Sequence, residues 1–491
     1  MVKWSSLLCT LGIFAFFASC SSVTTKTRGT TPVDTRTSLT LLPPSPITNQ
    51  VTLDIRGGIW NEGDKSKEYQ ITVYVDEVSN DKKIFSETRT IAPGKSDGIK
   101  INLNTADMGG TRKIIFDVEC NKEKWQKIES VTIIPSDIRS TRMIDGAWFE
   151  FYHWCENEGR LWNKDIIKLT DNQWKEMVRG MHELNMNVVV IQELFRNEKY
   201  VGKHNMDSTG YTGYAYYESD LYPRQDSDSI FLHTNFGETS PNKPAYPHLI
   251  AQAPLDAVLE EAERLDMKIF LGIGGYAWFD FSEGSLKWSK EVAQELWNKY
   301  GHYKSFYGWY ISNEIFGNLG MEDHQKDEIV HFFEEFTPFV KQLAPDKPVM
   351  LASNCHDIKG ARDYYPKLLR NLDILCPFGF HRMPEGDYTG KEAAAILQSY
   401  CDAAGSHLWM DMEIFLFGDK NSLYPRPIEQ VIRDLNVFDN FEKVFCYSYT
   451  GLLNAPWQTA HPGGEETVKL YNDYLNYLEN DWKKTYFTFK E

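Results

Sequence analysis

The strongest constraint on the fold of this chain is a change of rhythm after Ser136. From there on, short apolar segments alternate eight times with longer segments of helical periodicity. Apolar runs of this kind are typical of parallel strands, because helices cover both faces of such a sheet. The predicted strands are residues 143–151, 187–193, 268–274, 306–314, 348–354, 373–380, 407–415 and 443–450. We therefore predict an α/β fold in which residues 137–491 form a (β/α)₈ TIM barrel.

A doubly wound open sheet is the alternative arrangement of alternating strands and helices. Such sheets usually have fewer strands and often carry a glycine-rich phosphate loop after the first one. Here the first strand leads into Tyr152, His153 and Trp154, with no such loop. The sequence therefore favours the closed barrel.

Residues 47–136 follow a different pattern. Short runs such as VTLDIRG and YQITVYVDE alternate apolar and polar residues, and turn residues such as Gly57-Gly58 and Pro93-Gly94 stand between the runs. A period of two at this spacing predicts a small all-β sandwich. None of its residues suggests catalysis, so we expect a spacer, with glycan binding as the alternative.

The first 20 residues resemble the signal of a bacterial lipoprotein. A positively charged start precedes an apolar run (7–17), and small residues stand directly before Cys20. The run is shorter than the roughly 20 residues that a membrane span needs. The resemblance implies that 1–20 is an export signal and that Cys20 carries lipid. Residues 21–46, rich in Thr, Pro and Ser, are predicted to be a flexible linker.

We accordingly expect an exported protein that is lipid-anchored to a bacterial membrane, on the periplasmic or the cell-surface face. An ordinary signal peptide that happens to contain Cys20 is the alternative. We expect no membrane contact other than the anchor.

The composition of the chain indicates which classes of molecule the protein binds. The net charge of −17 argues against nucleic acid, whose phosphates require a basic surface. Aromatic residues make up 14% of the chain, and this surplus suits sugar binding, although core packing is the alternative for any single ring. The cysteines are scattered without C-x-x-C spacing, and Cys376 and Cys446 lie in apolar strands as expected of buried free thiols. We expect a carbohydrate partner and neither metal nor cofactor.

Candidate site residues follow from the barrel itself, because its active site lies at the C-terminal ends of the strands. Those ends are polar, acidic and aromatic in this chain. The predicted substrate-binding residues are Glu150, Gln192, Glu193, Trp278, Asn313, Asn354, His356, His381, Arg382, Asp411, Tyr449 and Trp457.

Two of these strand ends carry a specific resemblance. The segment GWYISNEIFG (308–317) resembles the strand-4 motif of the large clan of retaining (β/α)₈ glycoside hydrolases, in which an Asn-Glu pair ends the strand. HLWMDMEIFLFG (407–418) puts a second glutamate at the end of strand 7, as in that clan. The resemblance implies that Glu314 is the general acid/base, that Glu413 is the nucleophile, and that Asn313 binds the sugar 2-hydroxyl.

The chain also departs from the pattern of that clan. The clan usually has a tyrosine near the end of strand 6 that orients the nucleophile, whereas strand 6 here ends in Phe380, His381 and Arg382. We expect His381 or Arg382 to take its place. Asp411 shares a strand face with Glu413; we expect it to lie deeper and to pair with Arg382, and it is the rival nucleophile.

These features predict a hydrolase that cleaves a glycosidic bond by retaining double displacement, which needs one protonated and one ionised carboxyl group. The architecture also resembles glycosidase-like barrel lipoproteins of unassigned activity, so a non-catalytic glycan-binding lipoprotein is the alternative. A metal-dependent sugar-converting barrel enzyme ranks third, because the sequence has no H-x-H or H-E-x-x-H spacing.

Overall fold

The computed structural model describes residues 34–197, 214–221, 249–277 and 279–483. The strands are β1 (Thr35–Leu42), β2 (Ile47–Thr48), β3 (Leu53–Asn61), β4 (Lys67–Val75), β5 (Lys83–Ile91), β6 (Lys95–Leu103), β7 (Gly110–Cys120), β8 (Glu123–Ile134), β9 (Gly146–Phe149), β10 (Val188–Ile191), β11 (Phe195–Arg196), β12 (Tyr214–Ala215), β13 (Lys268–Gly272), β14 (Phe306–Ile315), β15 (Val349–Ser353), β16 (Ile374–Leu375), β17 (His407–Leu408), β18 (Met410–Glu413), β19 (Phe415–Phe417), β20 (Leu423–Pro425) and β21 (Val444–Tyr447). The α-helices are α1 (Asn163–Ile166), α2 (Asp171–Glu183), α3 (Pro254–Arg264), α4 (Glu283–Tyr300), α5 (Asp323–Leu343), α6 (Tyr365–Leu368), α7 (Gly390–Ala404), α8 (Ile428–Val437), α9 (Tyr449–Leu452) and α10 (Glu465–Tyr477).

The N-terminal region forms two packed sheets. One contains β1, β3 and β6, and the other has the order β2-β8-β7-β4-β5. Alternation along β4 buries Tyr69, Ile71 and Val73 between the sheets, as the period-two pattern predicts. The flexible linker predicted for 21–46 is wrong from Thr35 onwards, because β1 pairs with β3 over its whole length. The Thr-rich composition of β1 suits a strand as well as a tether.

A single parallel sheet makes up the second region and confirms the predicted barrel. Its order is β17-β16-β15-β14-β13-β10-β9-β21-β18, so the two end strands are the two halves of one predicted strand. β17 pairs with β16, and after Trp409 the chain continues as β18 beside β21. The sheet thereby closes nearly completely, with helices around it.

Helix boundaries follow local signals. α2 begins after Thr170, whose hydroxyl accepts from the backbone N–H of Gln173 while the Gln173 side chain bonds back to Thr170. This reciprocal cap satisfies donors that the first helical turn leaves open.

No helix among the described ranges is long and apolar enough to cross a membrane. All six cysteines in those ranges are buried, and Cys376 and Cys446 are free thiols as predicted.

The chain from Leu42 to Pro46 closes the N-terminal end of the barrel. Leu42 is fully buried in the barrel interior, in one cluster with Trp148, Phe270 and Trp409. Around it, barrel side chains bind carbonyl oxygens of this segment: the hydroxyl of Tyr307 donates to Leu41 at 2.6 Å. The sandwich therefore covers the end of the barrel at which the strands begin.

Buried charges join the same two regions. Arg56 of β3 pairs with Asp54 at 2.8 Å and with Asp373, just before β16, at 2.7 Å. His407, at the start of β17, lies 3.2 Å from Asp54 and 2.6 Å from Glu442. Burial opposes a charged His407, but Glu442 and Asp54 prevail and raise its pKa to about 9. These pairs fix the sandwich against the strand starts, opposite the barrel mouth.

Replacement of Leu42 by alanine tests this role of the sandwich. Leu42→Ala removes a fully buried side chain from a closed space, and we expect the free energy of unfolding to fall by about 2–5 kcal/mol. Urea titration followed by tryptophan fluorescence measures it. Val78→Ala, at a side chain that is 50% exposed, is the control and should change stability by less than about 0.5 kcal/mol. Equal effects of the two substitutions would contradict the conclusion that Leu42 closes the N-terminal end of the barrel.

Candidate active site

A cavity of about 500 Å³ opens at the C-terminal ends of the barrel strands. Its floor lies on the barrel interior, and its walls are the loops after the strands. Its described lining residues are Trp148, Trp154, Glu158, Gln192, Tyr310, Glu314, Phe316, Ala352, Phe378, Arg382, Asp411, Glu413, Phe415, Phe417, Asn421, Leu423 and Tyr447. Acidic groups among aromatic walls are typical of a concave small-molecule site.

Glu314 is near the end of β14 and is half-buried, with its free face towards the cavity. No hydrogen bond or ion pair to its side chain occurs among the described residues. Burial raises the pKa of Glu314 to about 7; Arg382 opposes this shift and the negative charge of Glu413 adds to it. Near neutral pH, Glu314 is thus poised to give up or accept a proton.

Glu413 is held differently at the end of β18. Arg382 Nε donates to both of its carboxylate oxygens, at 2.9 and 3.1 Å, and Nη2 donates to one of them at 2.6 Å. Nδ1 of His381 lies 3.1 Å from Oε2. Both candidates for the position of the clan's tyrosine therefore contact Glu413. The expected Asp411–Arg382 pair is not formed, because the planar guanidinium lies against Glu413 instead.

Two further carboxyl groups line the cavity. Asp411 lies two residues before Glu413 and is 5% exposed, with Oδ1 lacking a hydrogen-bond partner in the described ranges. Burial, reinforced by Glu413 and Glu314, raises the pKa of Asp411 well above its usual range. Burial and the same two glutamates raise the pKa of Glu158 to about 8. Glu158 is therefore mostly protonated near neutral pH, and the surroundings of Asp411 disfavour its ionised form.

A hydrogen-bonded chain runs behind the cavity wall. The hydroxyl of Tyr447 donates to Glu150 and lies 3.2 Å from Nε2 of His153, which is 3.5 Å from Glu158. Nδ1 of His153 lies 3.1 Å from the amide nitrogen and 3.0 Å from the carbonyl oxygen of Cys155, so the backbone of Cys155 holds the ring in place. Burial lowers the pKa of His153 to about 3, so the ring is neutral. Burial also raises the pKa of Glu150 to about 8.

The structure brings six of the predicted residues to one place. Gln192, Arg382 and Asp411 line the cavity together with Glu314 and Glu413, and His381 contacts Glu413. Glu150 lies behind the wall, joined to the cavity through Tyr447.

Four predicted residues do not line the cavity, because nearby groups engage them or the chain turns them aside. Glu193 pairs with Arg196 at 2.7 Å. Asn313 donates to the carbonyl of Asp280 at 3.3 Å. Asn354 accepts from the amides of Gly317 and His356 and so shapes the loop after β14. His356 is half-buried, and its Nε2 lies against Gly379.

Tyr449 and Trp457 are likewise not among the described residues that line the cavity. β21 ends at Tyr447, and the chain then enters α9, which buries Tyr449 fully beside Gln458. Trp457 is 44% exposed and donates to Glu183 at the end of α2. Trp278 lies outside the described residues.

Sequence reasoning missed several polar residues of the cavity, among them Glu158 and Tyr447. Glu158 sits on an irregular loop after β9, where no periodicity marks it. Tyr447 was hidden by the expected length of the eighth strand: side chains alternate, so Tyr447 and Tyr449 share a face of an extended strand, and only the position of the turn separates them. The exposed rings of Phe316 and Phe417 at the rim were likewise unmarked.

A larger groove of about 690 Å³ lies outside the barrel along α4. Its charged residues, such as Lys287, Glu291 and Lys299, belong to a solvated helix face. Because barrel enzymes place their chemistry at the strand ends, we assign the site to the smaller inner cavity. Within the described ranges, no three His, Cys, Asp or Glu residues are placed to hold a metal ion.

Solved structures with a similar arrangement include three glycosidases by description. One, from Bacteroides thetaiotaomicron, is provisionally described as an α-L-fucosidase; it is 16% identical at a TM-score of 0.48, over 71% of this chain and 97% of that one. A GH2 β-galacturonidase from Eisenbergiella tayi is 10% identical (TM-score 0.36), over 84% of this chain and 63% of its own. A Bacteroides uniformis β-glucuronidase is 12% identical (TM-score 0.36), over 84% of this chain and 45% of its own.

This chain spans less than two thirds of the latter two proteins. No curated protein matches the sequence. One family does match, over residues 144–460, which covers the barrel and every described residue that lines the cavity. The chain belongs to this family, which is described as a domain of unknown function (DUF4434).

Proposed function

We propose that the protein is a retaining glycoside hydrolase, with Glu314 as general acid/base and Glu413 as nucleophile. One observation carries the proposal: two carboxyl groups share a cavity in contrasting environments. Glu314 has a raised pKa and no ionic partner among the residues that the structure describes, whereas a guanidinium balances the charge of Glu413. A pair of carboxyl groups whose surroundings separate their protonation states is what acid/base and nucleophilic roles require.

The proposed reaction has two steps. In the first, a carboxylate oxygen of Glu413 bonds to the anomeric carbon while the glycosidic C–O bond breaks, and the proton of Glu314 passes to the departing oxygen. In the second, water attacks the anomeric carbon, Glu314 takes a proton from that water, and the bond to Glu413 breaks. Each glutamate ends in its starting protonation state.

Asp411 is the weaker candidate for the nucleophile. Its pKa is raised well above the usual range by burial and by neighbouring carboxylates, which disfavours the free carboxylate that attack requires. Arg382 contacts Glu413 and not Asp411. We therefore assign the glycosyl-enzyme bond to Glu413.

A non-catalytic glycan-binding protein is the second candidate, and one observation favours it. Arg382 makes three contacts with Glu413, and strong pairing of this kind lowers the reactivity of a carboxylate until the pair loosens. Under this alternative the cavity binds sugar without cleaving it.

Covalent trapping distinguishes the candidates. We would incubate a soluble form lacking residues 1–20 with activated 2-fluoro-glycosides and measure intact and peptide masses. A single sugar adduct on Glu413 is the expected result, because the fluorine slows the second step. An adduct on Asp411 would move the nucleophile, and binding of glycosides without any adduct or turnover would favour the glycan-binding candidate.

Substitution tests each glutamate separately. Glu314→Gln should lower kcat by about 10²–10⁴-fold by removing the proton donor, and Glu413→Gln by at least about 10³-fold. Glu260→Gln, on the exposed face of α3, is the matched control and should keep full activity. Steady-state rates on a cleavable glycoside measure the effect, and the unfolding midpoint verifies the fold. Full activity in either cavity variant would remove the role given to that residue.

The pH profile follows from the sign of the Glu314 shift. The acid role needs the protonated form, which is lost as pH rises through about 7. We expect kcat/KM to fall tenfold per pH unit above that value. A substrate whose leaving group needs no proton, such as a glycosyl fluoride, should lose this basic limb. A limb of equal depth with both substrates would argue against Glu314 as the acid.

Removal of Arg382 should move that limb in a defined direction. Arg382 lowers the pKa of Glu314, so Arg382→Gln should raise it and shift the basic limb to higher pH. Titration of ¹³C-labelled glutamate carboxyl groups by NMR gives the same shift without any turnover. Arg433→Gln, at an exposed arginine paired with Asp434, should leave Glu314 unchanged. A shift to lower pH in Arg382→Gln would contradict the arrangement of charges described above.

A further inference from the structure

We propose that the sugar accepted at the floor of this cavity carries no acid group, so that neutral and amino sugars are substrates and uronic acids are rejected. This inference rests on the proposed hydrolase function, and it names the substrate class that the function leaves open. It depends on the charged groups in the described lining of the cavity and on the contacts of Arg382, the basic residue among them.

The described lining residues are strongly unbalanced in charge type. Four are acidic, namely Glu158, Glu314, Asp411 and Glu413, and one is basic, Arg382. A fifth acid, Glu150, lies just behind the wall and reaches the cavity through the hydroxyl of Tyr447. Recognition of a sugar carboxylate requires a cation that can pair with it, and bidentate arginine is the usual choice.

Arg382 is not available for this purpose. Its Nε and Nη2 groups make three contacts of 2.6–3.1 Å with Glu413, so a sugar carboxylate would have to displace the carboxylate that the reaction needs. The guanidinium of Arg426 lies behind β18, where it donates to the backbone carbonyl of Glu413 at 2.6 Å and to Asp434 at 2.8 Å. Arg426 does not belong to the described cavity lining.

Asp411 shows what the floor is built to bind. Its side chain is 95% or more enclosed, it lines the cavity, and Oδ1 has no partner in the described ranges. Burial raises the pKa of this carboxyl well above its usual range, and the protonated form that this favours offers one O–H donor and one acceptor. A sugar hydroxyl matches both at once. The unpartnered side-chain oxygen of Gln192, which also lines the cavity, adds an acceptor for a second hydroxyl.

The protonation of the surrounding carboxyl groups points the same way. Glu158 and Glu314 hold their protons to about pH 8 and 7, because burial and neighbouring carboxylates disfavour another negative charge there. An ionised uronate at the floor would meet the same opposition. A protonated amine on the sugar would instead be stabilised, since its positive charge would favour ionisation of these acids.

Matched pairs of substrates test the inference. Aryl glycosides of glucose, galactose and mannose would each be compared with the uronide of the same sugar, with glucosaminides and galactosaminides added. We expect uronides to have kcat/KM at least about 100-fold below that of their neutral partners, because the guanidinium of the described lining is already paired with Glu413 and burial there disfavours a further carboxylate. Uronide turnover equal to or above that of the neutral partner would overturn the inference while leaving the hydrolase function intact.

A gain-of-charge variant sharpens the comparison. Gln192→Lys adds an unpaired cation to the lining, and Gln192→Met adds a side chain of similar length without charge. We expect the uronide-to-hexoside ratio of kcat/KM to rise at least about tenfold in the lysine variant and to stay unchanged in the methionine variant. An equal change in both variants would show that shape, and not charge, sets the ratio.

A measurement without turnover keeps the inference testable if no glycoside is cleaved, an outcome that would count against the hydrolase function alone. Trp154 is half-buried in the cavity wall, and its fluorescence is the difference between wild type and Trp154→Phe. Relative to N-acetyltryptophanamide, we expect iodide to quench this component less than caesium does, because the acidic groups of the described lining can ionise to meet a cation, whereas its guanidinium is already paired with Glu413. Trp125→Phe, at a half-buried tryptophan of the sandwich, is the control. Equal or stronger iodide quenching at Trp154 would overturn the inference.

Discussion

Closure of the parallel sheet through its seventh strand is the constraint on which the rest of the molecule depends. β17 completes its hydrogen bonds with β16, and β18 does so with β21, so one strand joins the two edges of the sheet. Parallel strands leave all their C-terminal ends on one side. In an open sheet of the same order, Glu314 on β14 and Glu413 on β18 would lie several strands apart. Closure brings them to one cavity.

The two ends of the barrel solve opposite problems. At the N-terminal end, Leu42 packs against apolar side chains of the barrel, and Arg56 and His407 pair with acidic groups. The sandwich thus brings complementary groups to the strand starts. At the mouth, the carboxyl groups of the described lining lie around the guanidinium of Arg382. Burial and neighbouring carboxylates raise the pKa values of Glu314 and Glu158 there. Buried charge without a partner costs free energy, and such a cost is commonly maintained where chemistry requires it.

The parts of the site that could be predicted are those that follow strand ends. Glu314, Glu413 and Arg382 reach the cavity because each stands at the end of a recognisable apolar run, and the barrel rule places such ends together. Residues on irregular chain did not obey this logic. Glu158 lies in a loop whose path depends on contacts far away in sequence, and Tyr449 turned inward because β21 ended two residues early.

Periodicity and strand order are local properties, so the sequence by itself determined the α/β barrel, the sandwich and the strand ends that carry Glu314 and Glu413. Pairing between side chains from different strands is not local, and only the tertiary structure decided it. It placed Arg382 on Glu413 instead of Asp411, and it left Oδ1 of Asp411 without a partner among the described residues. It also turned Thr35–Leu42 from an expected tether into a strand. The reason is that burial and neighbouring charge, which set protonation and pairing, exist only once distant segments are packed together.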